Sequence, residues 1–296
     1  MQVFVLGATG WIGGAITDML LESHHQVIGL ARNAQATSKL EAKGATAVQG
    51  DMDDATVLLP IAKKADAIVM ASSASLDTTM TTLQALVTAL QGSLKPLIYI
   101  SGSSLYGDIG NQEQVDEQVF VQQLTEPSRR QSPEQIVYQA RELGIHGMVV
   151  VGAGILYGRG GGATPNFLLD DARQRNAAWY IGAGTQRWSA VHVEDMARLT
   201  VLALEQKPSQ PVFNAVAEAL PLRNVAETIA QATHAGGGAQ SISEQAAQSS
   251  WGSFWAGSLP HNLWLSPKRA EHTLGWKLSA PSFNDDLLYG SYKERA

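Results

Sequence analysis

"VFVLGATGWIGG", residues 3–14, is the stretch whose reading decides the fold. Val3 to Leu6 form an apolar run of strand length, Trp11–Glu22 reads as an amphipathic helix, and Gly7, Gly10 and Gly13 stand between and just inside them at three-residue spacing. A strand that feeds a helix through Gly-x-x-Gly-x-x-Gly presents free backbone N–H groups at the positive helix end, where a dinucleotide pyrophosphate can sit. Gly7 lets the chain turn, Gly10 lets backbone approach phosphate with no Cβ in the way, and Gly13 lets the helix pack closely on the strand. The same spacing also serves a tight turn that holds no ligand. Its place as the first strand–turn–helix of an alternating chain favours the ligand.

The alternation continues outward from this motif. "QVFVL", "QVIGLA", "ATAVQ", "DAIVMA", "PLIYIS" and "HGMVVV" read as strands, with helices over Trp11–Glu22, Ala34–Lys43, Ala55–Lys64 and Leu76–Gln91. Fully apolar strands separated by helices predict a doubly wound α/β fold with a parallel sheet covered on both faces. Residues 1–151 make that domain. After Val151 the pattern loosens into glycine-rich loops, scattered helices and one more strand, "PVFNAV", in a smaller lobe over 152–296. "THAGGGAQSISEQAAQSS", about residues 233–250, reads as a flexible surface loop.

Composition limits the function classes. With 45% hydrophobic and 16% charged residues the 296-residue chain can bury a full core, and no apolar run approaches the roughly 18 residues that span a bilayer. The first residues enter a strand with no basic leader, so a cytoplasmic location and no membrane partner are expected. The absence of cysteine excludes disulfides and thiolate chemistry. A net charge of −6, with no basic cluster larger than a pair such as Arg129-Arg130, argues against a nucleic-acid partner. The histidines and acids show no ligand spacing, and no metal is expected.

A family resemblance extends over nearly the whole chain. "GATGWIGG" (7–14), "VQGDMDD" (48–54), "VMASSAS" (69–75), "YISGSSLYGD" (99–108), "GILYGRGG" (154–161), "WSAVHVEDMARL" (188–199), "PVFNAV" (211–216) and "LSPKRAEHTLGWK" (265–277) together resemble the short-chain dehydrogenase/reductase superfamily in its extended or atypical, epimerase/dehydratase-like branch. The resemblance implies a Rossmann domain that also receives about residues 190–217, a C-terminal lobe that covers a small-molecule substrate, and room for a homodimer.

It also implies where a nicotinamide dinucleotide would lie. Thr9, Trp11 and Ile12 would surround the phosphate turn, Asp51 and Met52 would flank the adenine, Ala71 and Ser72 would run along the ribose and pyrophosphate, and Ser101 would approach the nicotinamide. Asp51 could equally cap the helix that follows, although Asp53 and Asp54 fit that role better. At the end of the second strand, "GLARNAQ" has Ala31 where an NAD site offers a carboxylate, with Arg32 just beyond. A guanidinium suits the 2′-phosphate, so NADP(H) is the expected cofactor, against the alternative of a solvated loop cation.

The chemistry departs from the family. Its usual set is a Ser or Thr that polarises a carbonyl, a Tyr as acid or base, and a Lys four residues later. Tyr289 to Lys293 has that spacing but falls in the last helix. Aligning Glu134 with the family's glutamate puts Glu126 and Arg130 at the Tyr and Lys positions, and Gly102 stands where the hydroxyl is expected. Ser101, Ser103 and Ser104 remain nearby and one could substitute, while Tyr106 is the first choice for proton transfer and Tyr157 a further phenol. These serines could instead satisfy turn backbone. The resemblance makes His192 and Asp195 structural. Trp251, Phe254, Trp255 and Trp264 could form an apolar lid or a small core. An oxidoreductase or epimerase-like enzyme is favoured over a nucleotide-sensing protein without catalysis.

Overall fold

Short runs of branched aliphatic residues alternate with longer amphipathic ones, and each takes the element its period demands. In the computed structural model, which describes residues 1–111, 114–125 and 131–293, the chain opens with β1 (Gln2–Leu6), α1 (Trp11–Glu22), β2 (Gln26–Ala31), α2 (Ala34–Ala42), β3 (Thr46–Gln49), α3 (Ala55–Lys64), β4 (Ala67–Met70), α4 (Leu76–Leu90) and β5 (Pro96–Gly102). It continues through α5 (Glu117–Thr125), α6 (Pro133–Gln139), β6 (His146–Gly152), β7 (Ile155–Tyr157), α7 (Ala163–Arg175), β8 (Ala178–Ile181), β9 (Arg187–His192) and α8 (Val193–Gln206). Last come β10 (Val212–Ala215), β11 (Glu218–Pro221), α9 (Leu222–Ala232), β12 (Ala239–Ile242), α10 (Glu244–Ser258), α11 (Lys268–Leu274) and α12 (Phe283–Tyr289).

Seven strands form one parallel sheet in the order β10-β6-β5-β4-β1-β2-β3. Val3, Phe4, Val5 and Leu6 have no exposed surface, nor have Ile68, Val69, Met70 or Val149 to Val151, so the sheet must be covered on both faces. The doubly wound α/β architecture expected from the alternation is the one observed. Strand order reverses between neighbours β1 and β4, and the two chains leave their carboxyl ends in opposite directions, which opens a crevice there. Ile16 and Leu20 seat α1 with no exposed surface, each contributing about 1.5–3 kcal/mol. α8 packs on α1, and β10 pairs with β6, so this later stretch completes the large sheet.

The rest of the second half builds a three-stranded sheet, β11-β9-β7, and a two-stranded one, β12-β8. Here one expectation is corrected. Residues 233–250 are not a loose loop: β12 pairs with β8, and Ser243 caps α10 by accepting from the Ala246 N–H. The glycines that suggested a loop wrap one side chain tightly, since Gly236 N–H donates to Asn176 Oδ1 at 2.7 Å and Gly237 N–H to Asn176 O at 2.9 Å. Among the described residues no helix is long and apolar enough to cross a membrane.

Candidate functional site

The glycine turn supplies the first part of the site. Gly7 has φ +87°, a conformation other residues reach only with strain, and a Cβ there would stand 2.8 Å from the Ala71 carbonyl carbon. A Cβ at Gly13 would stand 2.7 Å from the Gly7 carbonyl carbon, so only glycine lets α1 sit this close to the strand end. Gly10, by contrast, would meet only the Gly7 oxygen at 3.1 Å. Gly10 is the N-cap of α1 and no side chain caps it, which leaves the positive end of the helix available to an anion.

Two cavities flank this turn. The larger, about 550 Å³, is lined by Gly7, Thr9, Gly10, Arg32, Asp51, Met52, Ala71 and Ser72. The Ser72 hydroxyl is buried with no hydrogen-bond partner, the condition of a group that waits for a ligand. Arg32 and Lys39 are exposed at the same cavity, which Lys39 reaches from within α2. Asp51 accepts from the Met52 N–H at 2.7 Å, while Asp54, not Asp51, caps α3. A glycine cradle, an orphan hydroxyl and two cations suit an anionic ligand.

The smaller cavity, about 390 Å³, adjoins the carboxyl ends of β5 and β6. Ile12, Leu105, Leu156 and Met196 give it apolar walls, and Ser101, Ser104, Tyr99 and Glu134 supply the polar groups. Ser101 Oγ donates to Glu134 Oε1 at 2.7 Å, and Glu134 is only 4% exposed. Tyr99 is pushed up to about 12, chiefly by burial and secondarily by the charge of Glu134. At Gly102 a Cβ would meet nothing within 4 Å, so the family's hydroxyl position is open space.

Several expected residues lie elsewhere. Tyr106 is turned away from the cleft by the 3₁₀ turn Ser103–Tyr106: it is 5% exposed, and its hydroxyl donates to Asn214 Oδ1 at 2.8 Å. Burial first and the charge of Glu117 second push its pKa up, which opposes a role as proton carrier. Ser103 is also buried and lines neither cavity, whereas Ser104 does. Trp11 lines neither cavity; its Nε1 donates to Gly158 O at 3.1 Å and so ties α1 to the second half. Tyr157 is buried, donates to Pro281 O at 2.9 Å and is likewise raised, mainly by burial. Tyr289 is 74% exposed at the end of α12. Glu126, Arg129 and Arg130 lie outside the described residues.

His192 and Asp195 act as braces. His192 Nδ1 accepts from the Glu194 N–H at 3.2 Å at the start of α8, and the Asp195 carboxylate accepts from Ser279 N–H and Ala280 N–H at 3.0 and 3.2 Å. Of the aromatic group, Trp255 stacks on Phe167 with centroids 4.4 Å apart, Trp251 meets the same ring edge-on, and Trp264 lies apart under Arg187. Sequence reading missed Lys39 and used Glu134 only as an alignment marker. The available signal was that Lys39 lies in α2, the helix that opens two residues after Arg32.

The chain is similar along its whole length to known proteins. An uncharacterised protein of Schizosaccharomyces pombe is 28% identical, covering 99% of this chain and 100% of its own. A 4-hydroxy-2-methyl-3-oxo-4-farnesyl-3,4-dihydroquinoline-1-oxide ketoreductase from Stigmatella aurantiaca is 25% identical over 72% of this chain and 67% of its own. The fold matches the crystal structure of UDP-glucuronic acid 4-epimerase from Bacillus cereus, in complex with UDP-glucuronic acid and NAD, with a TM-score of 0.74 at 18% identity, covering 100% of this chain and 99% of that one. Residues 3–215, from β1 through β10, match the model of the NAD dependent epimerase/dehydratase family, and the chain belongs to that family.

Proposed function

We propose that the protein is an NADP(H)-dependent oxidoreductase that interconverts a small carbonyl compound and its alcohol. The observation that carries this reading is the larger cavity, where the glycine cradle, the unpartnered Ser72 hydroxyl and the Arg32–Lys39 pair converge. Thr9, Gly10 and the α1 N-terminus would hold the pyrophosphate, Arg32 and Lys39 the 2′-phosphate, Asp51 and Met52 the adenine, and Ile12 and Ser101 the nicotinamide end. When bound, the dinucleotide supplies or accepts a hydride. The apolar walls of the smaller cavity suit a compact, largely uncharged substrate. The ketoreductase relative and the NAD bound in the epimerase structure support the reaction class.

A fluorescence titration tests the cofactor. Charge-assisted hydrogen bonds to the 2′-phosphate are worth about 1.5–3 kcal/mol, so NADPH should bind roughly ten- to hundred-fold more tightly than NADH. Arg32→Asp should erase that preference, and equal binding by the wild type would refute it. Turnover of NADPH with a panel of aldehydes, ketones and quinones tests the chemistry. The open position at Gly102 and the engaged hydroxyls of Tyr106 and Tyr157 favour a second reading, a dinucleotide sensor, which tight binding without any turnover would establish.

A further inference from the structure

We propose that Ser101 and Glu134 form the proton relay of the smaller cavity, with Ser101 meeting the substrate oxygen and Glu134 behind it as the proton's destination. This rests on the oxidoreductase reading above. The other hydroxyl positions considered from the sequence offer little here. Gly102 has no hydroxyl, and the phenols of Tyr106 and Tyr157 are buried and donate to Asn214 and Pro281. Tyr99, also on the cavity wall, holds its proton at neutral pH because its pKa is pushed up to about 12.

The cavity holds a carboxyl group that is 4% exposed yet lines the cleft, with a serine hydroxyl donating to it at 2.7 Å. A buried carboxylate costs free energy that packing alone does not return. Ser101 stands next to the last residue of β5, at the carboxyl end of the sheet, where α/β folds place their ligands. Because its own hydrogen is directed to Glu134, its lone pairs are left for a donor in the cleft.

The step balances. In oxidation, the alcohol O–H breaks as its proton moves to Ser101 Oγ, and the original Ser101 proton moves to a Glu134 oxygen. The C–H pair leaves the carbinol carbon as hydride for the oxidised nicotinamide dinucleotide, and C=O forms. Glu134 then gives its proton to water through the cleft. Reduction is the reverse, with Glu134 entering as the acid.

The test uses the full-length protein, Ser101→Ala, Glu134→Gln and the conservative Glu134→Asp, with a panel compound that the wild type turns over. Turnover should fall about 10²–10⁴-fold in Ser101→Ala and Glu134→Gln and partly recover in Glu134→Asp, with NADPH affinity unchanged in the two Glu134 variants. The pH profile of oxidation should differ between the wild type and the residual activity of Glu134→Gln. Independently of turnover, infrared difference spectra should show a carboxylate band, absent from Glu134→Gln, that shifts in Ser101→Ala and moves when NADP⁺ is added. If Glu134→Gln fails to fold, Ser101→Ala and its infrared shift decide. Variants with wild-type turnover and pH profile overturn the relay while the oxidoreductase reading stands. A wild type that binds NADPH and turns over nothing overturns both.

Discussion

Replacing Gly13 with alanine should destabilise this protein, although the same change inside a helix ordinarily stabilises it. In an ordinary helix interior, alanine gains about 0.5–1 kcal/mol over glycine. At Gly13 the new Cβ would stand 2.7 Å from the Gly7 carbonyl carbon, against an ordinary carbon–carbon contact of about 3.5–4.0 Å. The helix or the turn must therefore yield by roughly 1 Å. Neither yields freely, because Ile16 and Leu20 seat α1 with no exposed surface and Gly7 is pressed against Ala71. Overpacking of this kind costs about 1–3 kcal/mol, which for a chain of this size lowers Tm by roughly 2–4 °C per kcal/mol. Displacement of the turn also spoils the cradle, so NADPH affinity should fall with Tm. Gly10→Ala is the comparison: its Cβ would meet only the Gly7 oxygen at 3.1 Å, so Tm should fall less than in Gly13→Ala while the methyl group obstructs the cavity and weakens binding. Thermal denaturation by circular dichroism, with fluorescence titration beside it, reads both effects. A Gly13→Ala protein as stable as the wild type would refute the argument that α1 rests on the turn.

Two further outcomes follow from buried groups. Tyr106→Phe leaves Asn214 Oδ1 without its donor, so it should cost about 1–3 kcal/mol in urea denaturation with turnover unchanged; a loss of turnover with stability intact would return Tyr106 to the chemistry. His192 lies below its ordinary pKa because burial disfavours the imidazolium, outweighing the attraction of Asp286. The unfolded chain thus takes up the proton first as pH falls. The neutral ring's contribution is complete above about pH 6.5 and is lost as pH falls through the lower folded value. His192→Asn keeps a capping side chain and should flatten part of the decline in Tm between about pH 7 and 5, the rest belonging to groups such as His146, which is lowered for the same reason. An unchanged slope would contradict this.

The sheet was legible because its strands are buried on both faces and therefore apolar without interruption, as in "VFVL" and "MVVV". The glycine turn was legible because the conformation at Gly7 and the clearance at Gly13 admit no other residue without strain. Tyr106 was not, since a single 3₁₀ turn decides which way its hydroxyl points and residue spacing does not encode that rotation. The Ser101–Glu134 bond joins residues 33 apart through the packing of α6 on β5, a tertiary fact with no local signature. Residues 233–250 misled for a related reason. Their glycines resemble a loop by composition, but they exist to close around Asn176, far away in the chain.

The late arrival of β10 has a consequence during synthesis. β6 ends at Gly152 and its outer neighbour begins at Val212, with about sixty residues of the second half between them. At a translation rate of about 5–20 residues per second, the nascent chain carries a six-stranded sheet for roughly 3–12 s before the seventh strand can dock. Throughout that interval the edge formed by Met148, Val149, Val150 and Val151 is an open template for any other strand. Anything that shields a nascent strand edge therefore has a defined interval in which to act, which closes when Val212–Ala215 leave the ribosome and pair with β6.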